Sequence, residues 1–166
     1  MEFRISYGGN EVKGKRKIQR PFTSADSLAL VFTARHSSGK LSLLHRINRA
    51  RVESRIYTLA RRYHIKIHRL VNRGSFLVIF IRPNNRYQLT CFLRTSAGQM
   101  AQLITGARKG LKTGKYWGNL CWSTVLRSPE KFKNILYALS KLTNPLSVPR
   151  LLYSLEKGRL WKNGFG

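Results

Sequence analysis

The sequence predicts an α+β domain whose elements run strand, helix, strand, strand, helix, strand, with one further helix at the end. Three observations support this fold class. A buried hairpin pattern occupies the middle of the chain, from His64 to Arg82. A helical repeat of apolar residues lies on each side of that hairpin, and a short apolar stretch lies outside each repeat. The 166 residues make about one domain, which is long enough to bury a hydrophobic core.

The central hairpin turns at Asn72-Arg73-Gly74, a stretch that tolerates positive φ angles. Its second arm, Phe76 to Ile81, is almost wholly apolar and is rich in β-branched and aromatic side chains. Such a run is typical of a strand that is covered on both faces, so we expect it in the middle of the sheet. The first strand is predicted over Leu28 to Ala34, and the last strand over Tyr116 to Leu126.

Apolar residues at helical spacing predict one helix from Arg46 to Tyr63 and another from about Tyr87 to Thr105. Gly98 costs the second helix roughly 1 kcal/mol relative to alanine, so we expect close packing or a backbone contact there. A third helix begins at Ser128-Pro129-Glu130, which supplies a capping hydroxyl, a proline at the first helical position and an acid in the first turn. It is predicted to end at Asn144-Pro145.

These elements have the order of the ferredoxin-like βαββαβ fold, an antiparallel four-stranded sheet with its helices on one face, here with an added C-terminal helix. The predicted domain spans residues 21–145. A basic N-terminal tail, residues 1–20, precedes it, and a basic C-terminal extension, residues 146–166, follows it. The N-terminal tail has few large apolar residues, and we expect it to fold only against a partner.

Charge is the strongest functional signal in the sequence. Lysine and arginine number 32 against 6 acidic residues, which gives a formal net charge of +26. A polyanionic partner is the simplest reason for such a surface. No run approaches the roughly 18 apolar residues of a membrane-spanning helix, and the first residues lack the apolar core of a signal peptide. We therefore expect a cytoplasmic protein that binds nucleic acid and not a membrane.

Residues that could hold nucleic acid occur in the N-terminal tail, on the first helix and in a glycine-spaced loop from Gly106 to Lys115. Backbone amides and cationic side chains of this loop could both hold a phosphate. It differs from a nucleotide-binding P-loop, because Tyr116 follows Lys115 in place of serine or threonine. Trp117 and Trp122 could stack on bases or pack at the core and its rim. The candidate nucleic-acid-binding residues are Lys15, Arg16, Lys17, Arg51, Arg55, Arg61, Arg62, Arg108, Lys109, Lys112, Lys115 and Trp117.

The sequence offers little for metal or general-base chemistry, and no cofactor is predicted. His64 and His68 share one face of a predicted strand but lie about 13 Å apart along it, which is too far to share an ion. Cys91 and Cys121 lack metal-ligand spacing and are expected to be buried thiols. The 6 acids of the whole chain leave few carboxylates for Mg²⁺ or for proton transfer.

Four segments in a fixed order carry a family resemblance. They are the strand after the glycine turn (Gly74 to Arg82), FLRTSAGQMAQLITGARKG (Phe92 to Gly110), GKYW (Gly114 to Trp117) and YAL (Tyr137 to Leu139). Together they resemble the single-tyrosine HUH transposases, in particular the REP-associated tyrosine transposases. The resemblance implies a ferredoxin-like fold that binds hairpin single-stranded DNA and cleaves it with a tyrosine. It also implies a divalent metal held by a histidine, hydrophobic, histidine triplet after the glycine turn.

The positions that carry the family's chemistry differ in this chain. Phe76 and Val78 stand where the two metal-binding histidines should be, and neither side chain has a lone pair for a cation. Tyr137 matches the nucleophilic tyrosine, but Ser140 and Lys141 replace the polar amide residues usually found one turn later. A phenol with a pKa of about 10 is a poor nucleophile at neutral pH. We therefore expect no enzymatic activity, vestigial roles for Phe76 and Val78, and a packing or hydrogen-bonding role for Tyr137.

The leading hypothesis is a non-catalytic nucleic-acid-binding protein on a domesticated transposase scaffold. Basic tails around a small α+β domain are typical of proteins within a ribonucleoprotein such as the ribosome, where other proteins are also partners. Structured RNA is therefore the favoured target and hairpin DNA the next. One alternative is a transposase-like protein that nicks single strands through Tyr137 with a relocated metal site. Another is a protein-interaction subunit whose charge serves an acidic partner.

Overall fold

The computed structural model of the chain describes residues 6–9, 19–111 and 113–141. Its elements are β1 (Ser6–Gly9), β2 (Ser27–Thr33), a short 3-10 turn (Gly39–Leu41), α1 (Arg46–Arg62), β3 (Lys66–Asn72), β4 (Phe76–Arg82), α2 (Arg86–Thr105), β5 (Leu120–Leu126) and α3 (Pro129–Lys141). Among these residues, no helix is both long enough and apolar enough to cross a bilayer.

The strands form one antiparallel sheet in the order β1-β5-β2-β4-β3. From β2 to β5 the elements follow the βαββαβ order, which confirms the predicted α+β class and the ferredoxin-like arrangement. Helices α1 and α2 lie within one residue of their predicted bounds. Strand β5 begins later than predicted, because Trp117 pairs with Ala34 only through an isolated bridge and regular pairing starts at Leu120.

The sheet has five strands and not the predicted four. The additional strand, β1, lies in the segment expected to be a tail and pairs with β5 through Ser6 opposite Thr124 and Tyr7 opposite Ser123. The register then shifts at Gly8, whose φ is +106°. A Cβ at this position would lie 2.3 Å from a β5 carbonyl oxygen, so only glycine fits. The wider division into tail, domain and extension stays a prediction.

Arg20, the last residue of the predicted tail, helps to hold β1 in place. Its guanidinium donates to the Cys121 carbonyl at 2.9 Å and to the Ser123 hydroxyl, and it lies 4.7 Å from the centre of the Tyr7 ring. Burial lowers the pKa of Arg20, although the nearby Cys121 and Tyr7 oppose that shift. This arginine therefore belongs to the fold and not to the cationic surface.

Strand β4 is covered on both faces, as its apolar run predicts. Alternate side chains of a strand point to opposite faces. In β4, Leu77, Ile79 and Ile81 pack with α1 and α2, and Phe76, Val78 and Phe80 pack with α3. The two helices of the βαββαβ unit thus share one face, while the added C-terminal helix covers the other.

Side chains cap the helices much as their sequences indicate. The Asn85 Oδ1 accepts the backbone N–H of Gln88 at 2.8 Å at the start of α2, and the Ser128 hydroxyl accepts that of Lys131 at 3.2 Å at the start of α3. The expectation for Gly98 is wrong. A Cβ there would meet no atom of the described residues within 4 Å, so this glycine is not required by packing.

Candidate nucleic-acid interface

One flank of α1 carries a line of arginines. Arg51, Arg55 and Arg62 lie at i, i+4 and i+11, a spacing that puts them on the same side of the helix. We call these three residues the α1 stripe. Arg61 lies next to the stripe, on the side of the helix opposite the buried residues. All four are exposed, because Val52, Ile56, Leu59 and Ala60 hold the opposite side of α1 in the core.

The positive charge of the α1 stripe is not neutralised by neighbouring carboxylates. On α1, Glu53 pairs with Arg49, whose Nε lies 3.6 Å from the Glu53 Oε1. No ion pair within residues 6–9, 19–111 and 113–141 involves an arginine of the stripe. Three guanidinium groups therefore face solvent with their donors available to a phosphate.

The loop that follows α2 presents a second group of cations. Arg108, Lys109 and Lys115 are exposed, and Lys112 lies outside the described residues. Within the loop, the Leu111 N–H donates to the Arg108 carbonyl at 2.9 Å and closes a turn. Arg108 and Lys109 lie within this turn, and Lys115 lies beyond it.

The end of this loop is fixed beside the start of α1. The Tyr116 hydroxyl donates to the Leu41 carbonyl at 2.9 Å, and the Arg35 N–H donates to the Tyr116 carbonyl at 2.8 Å. Arg35 and Lys40 are exposed in the same region, although the sequence analysis did not select them. The residue after Lys115 is therefore fixed against the 3-10 turn that precedes α1.

Arg61 and Arg62 lie at the other end of α1. Arg51 and Arg62 are eleven residues apart, or roughly 16 Å along the helix axis at 1.5 Å per residue. The α1 stripe therefore spans about three turns of the helix. Lys15, Arg16 and Lys17 lie outside the described residues.

A further group of cations, which sequence reasoning missed, lies on the edge strand β3 and its neighbour. Lys66 is directly opposite Arg82 in the pairing of β3 with β4, and both side chains are exposed. Burial, and then the charges of Lys66 and Arg82, lower the pKa of His68. Like charges directly opposite each other destabilise a sheet, so an anion bound between them would relieve this repulsion. The signal in the sequence is the pair of cations Lys66 and Arg69 within the strand that also carries His68.

The two tryptophans pack within the protein. Trp117 is half-buried, its indole N–H donates to the Ala97 carbonyl at 2.8 Å, and its ring centre lies 5.4 Å from that of Phe32. Trp122 is 2% exposed and lies in the apolar cluster beneath α3. The structure therefore corrects the assignment of Trp117 as a base-stacking residue and gives it the alternative role of packing at the rim of the core.

Two positions of β4, at which the sequence resemblance led us to expect metal ligands, carry buried hydrocarbon side chains. Phe76 and Val78 are 1% and 0% exposed and share an apolar cluster with Ile135 and Leu139 of α3. These side chains have no donor atom, so a divalent metal does not fit between them. Nor do three or more His, Cys, Asp or Glu side chains converge anywhere in the described part of the chain.

Tyr137 does not pack into the cluster beneath α3. Its side chain is 68% exposed, and its ring lies 5.7 Å from the Lys141 ammonium. The packing alternative expected for Tyr137 is therefore wrong, and the hydrogen-bonding alternative stays a prediction. The phenol lies on the outer side of α3 and is accessible from solvent.

The two cysteines are free and half-buried. Burial raises the pKa of Cys121 to about 12, against the opposing influence of Arg20. At neutral pH this thiol is protonated and is a weak nucleophile.

No family model matches the chain, and no curated protein matches it. Among solved structures, the chain is similar to a protein of Deinococcus radiodurans R1 that is provisionally described as a transposase. The two share 15% sequence identity and superpose with a TM-score of 0.47, over 75% of this chain and 95% of the other. This similarity assigns no role to any residue of the chain.

Proposed function

We propose that this chain is a non-catalytic nucleic-acid-binding protein on a transposase-like scaffold, and that structured RNA or hairpin nucleic acid is its target. One observation carries the proposal: exposed arginines and lysines line α1 and the loop after α2, and Arg49 is the only one of them with a carboxylate partner among the described residues. The burial of Phe76 and Val78 supports the absence of catalysis, because the metal-binding positions of the resembling family hold no ligand atoms here.

In this proposal the α1 stripe positions the protein on a phosphate backbone. Arginine presents several N–H donors in a planar arrangement that matches two phosphate oxygens at once. Each neutralised phosphate also releases condensed counterions, which supplies most of the sequence-independent affinity. Contacts of this kind fix orientation but do not read base identity. The stripe and the loop therefore account for affinity, and recognition of a particular target needs another part of the surface.

Structured RNA is the favoured target, because the chain has basic segments on both sides of a small α+β domain, as proteins within a ribonucleoprotein do. The test is to crosslink the protein in cells and to sequence the nucleic acid that is recovered with it. We expect ribosomal RNA or another structured RNA. Recovery of chromosomal repeats would instead favour hairpin DNA. Recovery of protein free of nucleic acid after a mild-salt wash would overturn the proposal in favour of an acidic protein partner.

The exposure of Tyr137 favours single-strand nicking as the second candidate function, since a substrate could reach its hydroxyl. The test is to incubate labelled hairpin DNA with the protein and Mg²⁺ or Mn²⁺ and to look for a covalent adduct. We expect no adduct with the unmodified chain. An adduct that disappears in Tyr137→Phe would show that the protein is an enzyme and that its metal site has moved.

A further inference from the structure

A cleft on the α3 side of the sheet is not explained by the surface described above. It has a volume of about 410 Å³ and lies where the start of β2, the end of β5 and the start of α3 meet. Its polar lining consists of Asp26, Ser27, His68, Arg127 and Ser128, and its apolar lining includes Phe132 and the buried Phe80. This volume lies in the range of sites that hold a small organic group, about 300–1,000 Å³.

The apolar wall offers a flat surface. The ring of Phe132 meets that of Phe80 edge to face, with centres 4.6 Å apart and planes at 72°. Phe80 is 0% exposed, so this pair is anchored in the core, while Phe132 is only partly buried. An aromatic side chain held in this way suits the face of a nucleobase.

The mouth of the cleft is cationic. Arg127 lines it, and the charges of Lys66 and Arg82 are close enough to lower the pKa of His68 on its wall. The His68 Nε2 lies 3.2 Å from the Ser27 hydroxyl, which fixes the imidazole against the start of β2. Lys66 is the first residue of the edge strand β3 and is paired with Arg82. Arg127, Lys66 and Arg82 could therefore hold phosphates beside this mouth.

Asp26 is the unexpected residue in this setting. A carboxylate beside a phosphate-binding surface repels phosphate, and this chain has only 6 acids against 32 cations. The backbone N–H of Asp26 donates to the Thr23 hydroxyl at 3.0 Å, which fixes the turn, but no ion pair within the described residues involves its carboxylate. A carboxylate can still bind nucleic acid, because its oxygens accept hydrogen bonds from the N–H groups of bases.

We propose that this cleft receives one unpaired guanine of the bound nucleic acid. Guanine is the base with two adjacent N–H donors on its Watson–Crick edge, N1–H and the N2 amino group, and they match the two oxygens of Asp26. Adenine and cytosine place an acceptor beside their amino group, which the carboxylate would repel. The guanine ring lies against Phe132, and Lys66, Arg82 and Arg127 hold the flanking phosphates. Bases that leave a stack are commonly read in this way. This inference rests on the proposed function and adds the chemistry of its target.

The test uses a set of hairpins with one stem and a single unpaired nucleotide, guanine, inosine or adenine, prepared as RNA and as DNA. At fixed salt the guanine hairpin should bind about tenfold more tightly than the adenine hairpin, since a good bidentate pair discriminates by about 1–3 kcal/mol. Inosine, which lacks the N2 amino group, should fall between them. The unpaired guanine should also be protected from kethoxal, a reagent that attacks its N1 and N2.

Asp26→Asn should abolish the preference for guanine and the protection from kethoxal. Glu130→Gln is the matched control, because it removes one negative charge from an exposed position in the first turn of α3 that does not line the cleft. Glu130→Gln should keep both the preference for guanine and the protection from kethoxal. The comparison of guanine with inosine on the unmodified chain needs no variant, so it holds even if Asp26→Asn folds poorly.

Two negative results would have different meanings. If all hairpins bind with equal affinity and the guanine stays reactive to kethoxal, the inference is wrong and the proposed function stands. If no hairpin binds at mild salt, the proposed function itself is wrong, and the inference fails with it.

Discussion

Removing the three arginines of the α1 stripe should weaken the salt dependence of nucleic-acid binding by a calculable amount. The change is Arg51→Gln, Arg55→Gln and Arg62→Gln in one chain. Glutamine and arginine have similar helix propensities, and all three side chains are exposed, so the fold should persist. The Arg62 guanidinium lies 5.8 Å from the Tyr63 ring centre, and this exposed contact contributes little.

The expected size follows from counterion release. If about eight phosphates are neutralised in total, log K should fall with log salt with a slope of about −6 to −7. Each lost contact reduces the magnitude of that slope by about 0.7–0.9, so the triple variant should reduce it by about 2–3. With the plots of log K against log salt for the two proteins taken to meet at 1 M salt, the triple variant should bind about 100-fold more weakly than the unmodified chain at roughly 0.15 M.

The assay is fluorescence anisotropy with a labelled hairpin, repeated over a series of salt concentrations. The matched control is Arg49→Gln, Arg94→Gln and Lys133→Gln, which removes the same charge from helix positions outside the stripe. In this control, Arg49 is the residue that pairs with Glu53. We expect its slope to change by less than about 1. If both triple variants change the slope equally, binding reflects the net charge of the chain, and the stripe makes no specific phosphate contacts.

Three further predictions concern stability. Gly8→Ala should lower the free energy of unfolding by about 1–3 kcal/mol, because its methyl group would lie 2.3 Å from a β5 carbonyl oxygen. Gly98→Ala should instead raise the free energy of unfolding by up to about 1 kcal/mol. Urea unfolding of both variants measures the two effects, and equal effects would refute the pairing of β1 with β5. Burial raises the pKa of Tyr116 to about 12, so its neutral phenol stabilises the fold fully below about pH 10 and loses that contribution as pH rises toward 12. The free energy of unfolding of Tyr116→Phe should therefore fall less with rising pH than that of the unmodified chain in this alkaline range. Identical pH profiles would show that Tyr116 does not have the raised pKa. Lys66→Gln should stabilise the free protein by about 0.2–1 kcal/mol, because it removes the repulsion with Arg82. The same variant should bind the hairpin more weakly. A variant that loses both stability and affinity would argue against an anion bound between Lys66 and Arg82.

The parts of the fold that the sequence predicted are those with a local signal. The unbroken apolar run of β4 placed it inside the sheet, and Ser128-Pro129-Glu130 marked the start of α3. Strand β1 escaped prediction because four residues that include two glycines carry no periodicity, and its partner β5 lies at the far end of the domain. The face on which α3 packs did not follow from its helical pattern, because that pattern shows which side of the helix is buried and not which face of the sheet it covers.

The candidate site was predicted only in part, for a similar reason. Exposed arginines on α1 follow directly from the spacing of its buried residues. The approach of Lys66 to Arg82 depends on strand register, and the pairing of β3 with β4 shifts between Ile67 and Arg69. The cleft at Asp26 brings together residues from several elements, so only the folded chain reveals it.

The charged side chains of β3 also affect how copies of the protein meet one another. β3 is the last strand at its end of the sheet, and such an edge can template pairing with an identical strand. Exposed Lys66 and Arg69 place cations along it, so two copies that approach edge to edge repel each other. Replacing these cations with neutral residues should therefore favour association of copies through this edge.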